Sequence, residues 1–147
     1  MHRVVIGGRF HGLNEFMDAN RQWRGKWNLG NAMKQEDQRL VYYALPRFKA
    51  SGPLFIRYHF YEPNTRRDKD NISGYFHKIF QDALVQRGII PNDGWKYIDG
   101  FSDYFYIDKA RPRVEIELFE IGGHNDAEGK DFEAPTGAGR HHKRRSI

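Results

Sequence analysis

The segment that most constrains the fold runs from Leu54 to Leu84, where a two-residue period gives way within ten residues to a helical one. Leu54, Ile56, Tyr58 and Phe60 alternate with Phe55, Arg57, His59 and Tyr61, the signature of a strand with two unlike faces. Glu62-Pro63-Asn64 ends that run. Ile72, Phe76, Ile79, Phe80, Ala83 and Leu84 then recur at i, i+4, i+7, i+8, i+11 and i+12, which places them along one helical face. Gly88 stands where a helix of this length takes its C-terminal glycine. Pro91-Asn92-Asp93-Gly94 reads as a turn. Strands are predicted near Tyr97 to Ile107 and over Arg113 to Phe119, where Val114, Ile116 and Leu118 alternate with Glu115, Glu117 and Phe119. A strand–helix–strand–strand series needs a second layer to cover the helix and the sheet. The predicted architecture is a two-layer α+β domain, a small mixed sheet with its helices mainly on one side.

The N-terminal half supplies the remaining elements. His2 to Ile6 is a short β-rich run ended by Gly7-Gly8, and Asn14 to Arg21 reads as a short helix or turn. Asn31 is a plausible N-cap for a helix reaching about Leu45 with Met33, Leu40, Val41 and Ala44 inward, stopped by Pro46. From Gly122 onward apolar periodicity ends. An acidic stretch, Asp126 to Glu133, precedes Arg140-His141-His142-Lys143-Arg144-Arg145. The expected organisation is one domain over 1–121 and a disordered charged tail over 122–147.

Composition removes whole classes of function. The chain of 147 residues has no cysteine, so disulfides, thiolate zinc sites and cysteine nucleophiles are excluded. No apolar run approaches the ~20 residues of a membrane span, and the first residues lack the apolar core of a signal peptide. A cytoplasmic setting without membrane contact is expected. The net charge of +5 is unevenly spread. Ten Lys/Arg face four Asp/Glu up to Arg57, whereas nine face eleven from Tyr58 to Ile121. A basic half joined to a carboxylate-bearing half suits a protein that neutralises phosphates and holds cations. Surface charge of no functional meaning gives the same distribution.

The chemistry concentrates in Arg66-Arg67-Asp68-Lys69-Asp70-Asn71. In an extended segment residues i and i+2 point the same way, so Asp68 and Asp70 converge on one point. Two carboxylates suit Mg²⁺, which takes few protein oxygens and keeps its waters. The competing reading has Asp70 as a helix N-cap and Asp68 solvated. An EF-hand is a poor fit because Ser73 stands where the loop needs glycine. Asn71, Tyr75, Lys78 and Asp82 form a polar stripe beside the apolar face. Lys78 either reaches back toward the carboxylates, where it would stabilise transition-state charge, or pairs with Asp82 on the surface. Asp93, one turn past the helix, is a third carboxylate that a returning strand would bring to the same place, where a divalent cation relieves the repulsion. Arg21, Arg24 and Lys26 interleave with Trp23 and Trp27, a mixture that grips phosphates and stacks on unpaired bases. It is equally one core tryptophan amid solvent-facing bases. No His pair has zinc spacing, Gly7-Gly8 is too short for a phosphate loop, and no serine has a His–Asp arrangement.

The run RRDKDN, followed by KIFQDAL, GIIPNDGWKYIDG and RPRVEIEL, resembles the RusA family of Holliday-junction resolvases, common in phage and prophage. The early GLNEF and the basic, aromatic stretch after it resemble that family's N-terminal region. The resemblance covers most of Val4 to Glu120. It implies a homodimer that binds four-way or branched DNA and nicks two strands symmetrically with Mg²⁺, Mn²⁺ being a substitute, and with no nucleotide cofactor. It assigns the metal to Asp68, Asp70 and Asp93 and an essential lysine to Lys78. DNA contacts are expected from the basic side chains Arg21, Arg24, Lys26, Arg66, Arg67 and Lys69. The best-known member has about one helical turn less between the D-x-D-N and its lysine, which puts Lys78 about 6 Å farther along the axis. A non-catalytic protein that binds branched or single-stranded DNA on the same scaffold is the alternative.

Overall fold

A computed structural model describes residues Met1–Gly122. The predicted 122–147 tail lies outside the described residues except for Gly122. The elements are β1 (His2–Gly7), α1 (Leu13–Asn20), β2 (Trp23–Arg24), β3 (Trp27–Asn28), α2 (Leu29–Ala44), β4 (Leu54–Glu62), α3 (Lys69–Gln86), β5 (Ile98–Ile107) and β6 (Arg113–Glu120). Four strands form a mixed sheet in the order β1-β6-β4-β5, and β2-β3 form a separate two-stranded ribbon. β4 and β5 are parallel, which requires a crossover, and α3 supplies it. β6 runs antiparallel to both β4 and β1. The expected α+β architecture, a small mixed sheet with helices against one face, is what the chain adopts.

The alternation read in β4 sets the layering. Leu54, Ile56, Tyr58 and Phe60 join Val4, Ile6, Ile116 and Leu118 in a core closed by Ile72, Phe76, Ile79, Phe80 and Leu84 of α3. All six apolar positions predicted for α3 are buried. Gly88, at φ 82°, takes the left-handed conformation after the helix, and the Ile89 N–H bonds back to Leu84, the reversal for which glycine is suited.

Two expectations in the N-terminal half are corrected. α2 begins three residues early, because Asn28 caps it, its side chain accepting from the Asn31 N–H. Asn31 lies inside the helix. Its buried face carries Gly30, Asp37 and Val41, while Leu40 is 56% exposed. A buried aspartate holds a position that hydrophobic periodicity assigns to an apolar side chain. The stretch with no readable period is a hairpin. Trp23 pairs with Asn28 and Arg24 with Trp27 around Gly25-Lys26, and Gly25 at φ 62° supplies the positive φ that a two-residue connection needs at its first central residue.

Candidate functional site

The segment after β4 turns through Pro63 to Arg67 and enters α3. Asp68 is the N-cap residue, with extended backbone at φ −69°, ψ 153°, and Asp70 lies in the first helical turn. The premise that both acids share one extended segment is therefore corrected, as is the reading of Asp70 as the cap. Asp68 caps by position only; its side chain makes no capping hydrogen bond. The two carboxylates nonetheless border one cavity of about 620 Å³, with Lys69, Thr65, Phe105 and Ile107 around them. Both are exposed, and neither takes part in a side-chain hydrogen bond or ion pair among the described residues. They sit at the positive end of α3, where anionic side chains are favoured by the first-turn N–H groups.

Glu62, at the end of β4, also borders this cavity, yet its carboxylate is engaged. Arg67 binds it through Nη2 at 3.0 and 2.9 Å and through Nε at 3.2 Å, and donates from Nη1 to the Phe10 carbonyl at 3.1 Å. Arg67 therefore ties the β4–α3 turn to the segment between β1 and α1. Its guanidinium is largely buried and occupied by these contacts, unlike that of a cation held free for phosphate. Arg66 is exposed. Lys69 is exposed too, its ammonium 5.7 Å from the centre of the Phe105 ring.

Asp93 does not join Asp68 and Asp70 within one chain. Because β4 and β5 are parallel, the crossover returns the chain to the starting edge of the sheet. Asp93, just before β5, lies beside the Leu54 end of β4, and the two other acids lie beyond the Glu62 end. The 18 residues of α3 span about 27 Å between these ends at 1.5 Å per residue. No group of three His, Asp or Glu able to hold a metal ion occurs among the described residues.

The polar stripe of α3 is the seam onto which α1 and α2 dock. Asn71 Oδ1 accepts from the Asn14 N–H at 2.8 Å, the Tyr75 hydroxyl donates to Asp37 Oδ2 at 2.7 Å, and Asp82 pairs with Lys34 at 3.4 Å. Lys78 pairs with Asp82 at 3.4 Å and is 61% exposed. It is ten residues from Asp68, about 15 Å along the axis, so it stays with Asp82 instead of reaching back to the carboxylates.

Asp37 is 4% exposed and is bridged by two donors, the Tyr75 hydroxyl and the ring of His11, whose Nδ1 lies 2.7 Å away. Sequence reading passed over this cluster; the only signal was an aspartate four residues before Val41, on the helix's inward side. Burial first, and then the Asp37 bond and its charge, push the Tyr75 hydroxyl far above the ordinary tyrosine range.

The β2–β3 hairpin presents Trp23 and Trp27, 60% and 48% exposed, beside exposed Arg21, Arg24 and Lys26. Neither tryptophan is core. Arg21 is paired with Asp18 at 3.4 Å on the surface, a contact easily exchanged. No helix among the described residues is long and apolar enough to cross a membrane. No family model matches the chain, and no curated protein matches it.

Proposed function

We propose that the protein is a Mg²⁺-dependent endonuclease of branched DNA, acting in the cytoplasm as a homodimer in the manner of the RusA-like resolvases it resembles. The observation that carries this reading is the pair Asp68 and Asp70. Both carboxylates are exposed and without a side-chain partner among the described residues, and both border one cavity at the N-terminus of α3. Two such groups with room for water fit the preference of Mg²⁺ for one or two carboxylates and retained waters. Mg²⁺ held there by Asp68 and Asp70 would supply Lewis-acid polarisation of a phosphodiester and a more acidic water. Lys69 neutralises phosphate at the cavity, Arg66 extends the positive rim, and Arg67 keeps Glu62 occupied so that the turn carrying the acids stays fixed. The hairpin with Trp23, Arg24, Lys26 and Trp27 supplies grip on DNA strands through stacking and charge.

A second reading, a non-catalytic binder of branched or single-stranded DNA, is favoured by the separation of Asp93 from the other two acids. Labelled four-way and duplex DNA incubated with the protein in Mg²⁺ and in EDTA separates them. The nuclease reading expects nicks in the junction with Mg²⁺ alone. Binding without nicks at any Mg²⁺ or Mn²⁺ concentration establishes the binder.

A further inference from the structure

A second cavity, of about 660 Å³, opens at the other end of α3 from the acid pair. Its walls are Ala50, Pro53, Val85, Pro91 and Tyr97, with Ile89 and Ile90 buried behind them. The domain's own backbone fixes these walls. The Ala50 N–H donates to the Ile89 carbonyl, the Leu54 N–H to the Tyr97 carbonyl and the Tyr97 N–H to the Gly94 carbonyl. An apolar site formed in advance has little ordering to give up when it takes an apolar group. Lys49 and Lys96 also line it, and both are exposed. Neither makes an ion pair among the described residues, and the Lys96 ammonium lies 5.7 Å from the centre of the Tyr97 ring.

The chain leaves the sheet at the rim of this cavity. The Ile121 N–H donates to the Pro53 carbonyl at 2.8 Å, and Ser51 Oγ donates to Glu120 Oε1 at 3.0 Å. Pro53 and Ser51 both line the cavity. Residues 123–147 lie outside the described residues, but their sequence complements it. After Phe119 the sequence holds a single Phe, Tyr or Trp, Phe132, and it stands between Asp131 and Glu133. From Asp126 to Glu133 four carboxylates stand against one lysine. An apolar ring between two acids matches an apolar cavity edged by two lysines. Phe132 follows Ile121 by eleven residues, and an unconstrained chain of that length spans about 18 Å on average. The ring therefore reaches the cavity at an effective concentration on the order of millimolar.

We propose that this cavity is the seat of the chain's own segment Asp131–Glu133, with the Phe132 ring against Val85, Pro91 and Tyr97 and the two acids answered by Lys49 and Lys96. Burial of the ring supplies the attraction, since an aromatic side chain takes roughly 200 Å² out of water. The lysines supply selection more than strength, because exposed ion pairs contribute little. They favour this acidic segment and disfavour the basic run from Arg140 to Arg145. The seating does not rest on the nuclease reading, and a protein that never cuts DNA would keep it.

Methyl NMR of the full chain tests it. Phe132→Ala removes the ring, whose field shifts nearby methyl groups. The expected result is a change at Val85, Ile89 and Ile90, which line the cavity, with Val4, Ile6 and Ile116 of the sheet unmoved. Lys49→Glu with Lys96→Glu turns like charges toward the acids and is expected to shrink the response of those methyls to Phe132→Ala. Adding Asp131→Lys with Glu133→Lys to that variant is expected to restore it. Cavity methyls indifferent to Phe132→Ala in the otherwise native chain, or changes spread across the sheet, overturn the proposal. An undiminished response in the charge-reversed chain overturns the pairing with the lysines. Seating within one chain is independent of concentration, so a response that fades on dilution assigns the cavity to the segment of another copy and overturns the proposal as well.

Discussion

Replacing Tyr75 by phenylalanine removes one oxygen from a buried polar contact between α3 and α2. The Tyr75 hydroxyl lies 2.7 Å from Asp37 Oδ2, and both residues are under 5% exposed. Without it, Asp37 keeps only His11 among the described residues. A hydrogen bond to a charged group contributes about 1.5–3 kcal/mol, and an abandoned buried partner places the loss in the upper part of that range. An unfolding entropy of roughly 2.1 cal/mol/K per residue over the described domain converts each kcal/mol into ~4 °C. Tyr75→Phe is therefore expected to lower Tm by about 9–12 °C, read by circular dichroism at neutral pH. The pH dependence follows from the raised hydroxyl pKa. The unfolded tyrosine ionises near 10.0 while the folded one stays neutral. This group's contribution is thus fully present below pH 10.0 and is lost as pH climbs above it. The variant should lose stability less steeply between pH 10 and 11 than the wild type. An unchanged Tm, or the same loss in an Asp37→Asn background, refutes the coupling.

Three further outcomes are expected. Glu115 lies buried between Arg3 and Arg113; burial alone pushes its carboxyl up, but the hydrogen bonds from the two guanidiniums hold it below the ordinary glutamate value. Its contribution is present above pH 4.5 and lost as pH falls below it, so Glu115→Gln should cost about 2 kcal/mol at pH 7 and flatten the acid limb of a denaturant-midpoint series. Arg67→Met leaves the buried Glu62 unpaired and should destabilise by about 3 kcal/mol in urea titrations, a loss that an effect confined to DNA affinity would contradict. Arg24→Ala with Lys26→Ala should leave Tm within 1 °C or so and lower the slope of log affinity against log salt by roughly 1.8 for two phosphate contacts, measured by fluorescence anisotropy on a labelled junction.

The elements with strong, consistent periods were legible in the sequence. β4, α3 and β6 follow their side-chain patterns because each turns a continuous apolar face to the core, and Gly88 stops α3 because only a positive φ reverses the chain there. Errors arose where a polar residue carries the packing. Periodicity placed Leu40 inside α2, but the interior position belongs to Asp37, made tolerable by Tyr75 and His11 from elsewhere in the chain. Asn28 and Asn31 are the same residue type three apart, and composition alone does not say which caps. The site was half legible. That Asp68 and Asp70 flank the start of α3 follows from local spacing. The place of Asp93 depends on whether the strand after α3 runs parallel or antiparallel to β4, a long-range fact with no local signature. The Lys78–Asp82 pair was legible as one of two readings because it is local, one turn along the same helix, whereas Arg67 was read as a free cation because its partner Glu62 is set by how the preceding strand ends against the turn.

The central claim is that Asp68 and Asp70 hold the metal for strand cleavage. It is tested most directly by Asp70→Asn, assayed on a labelled four-way junction for binding and, at saturating protein, for single-turnover nicking across a Mg²⁺ series. Asp70 is exposed and makes no side-chain bond among the described residues, so the fold and Tm should be retained. Removing its charge also lessens repulsion of phosphate. The account predicts junction affinity equal to or above wild type with nicking abolished at every Mg²⁺ concentration. Nicking at the wild-type rate with the same Mg²⁺ dependence would contradict it.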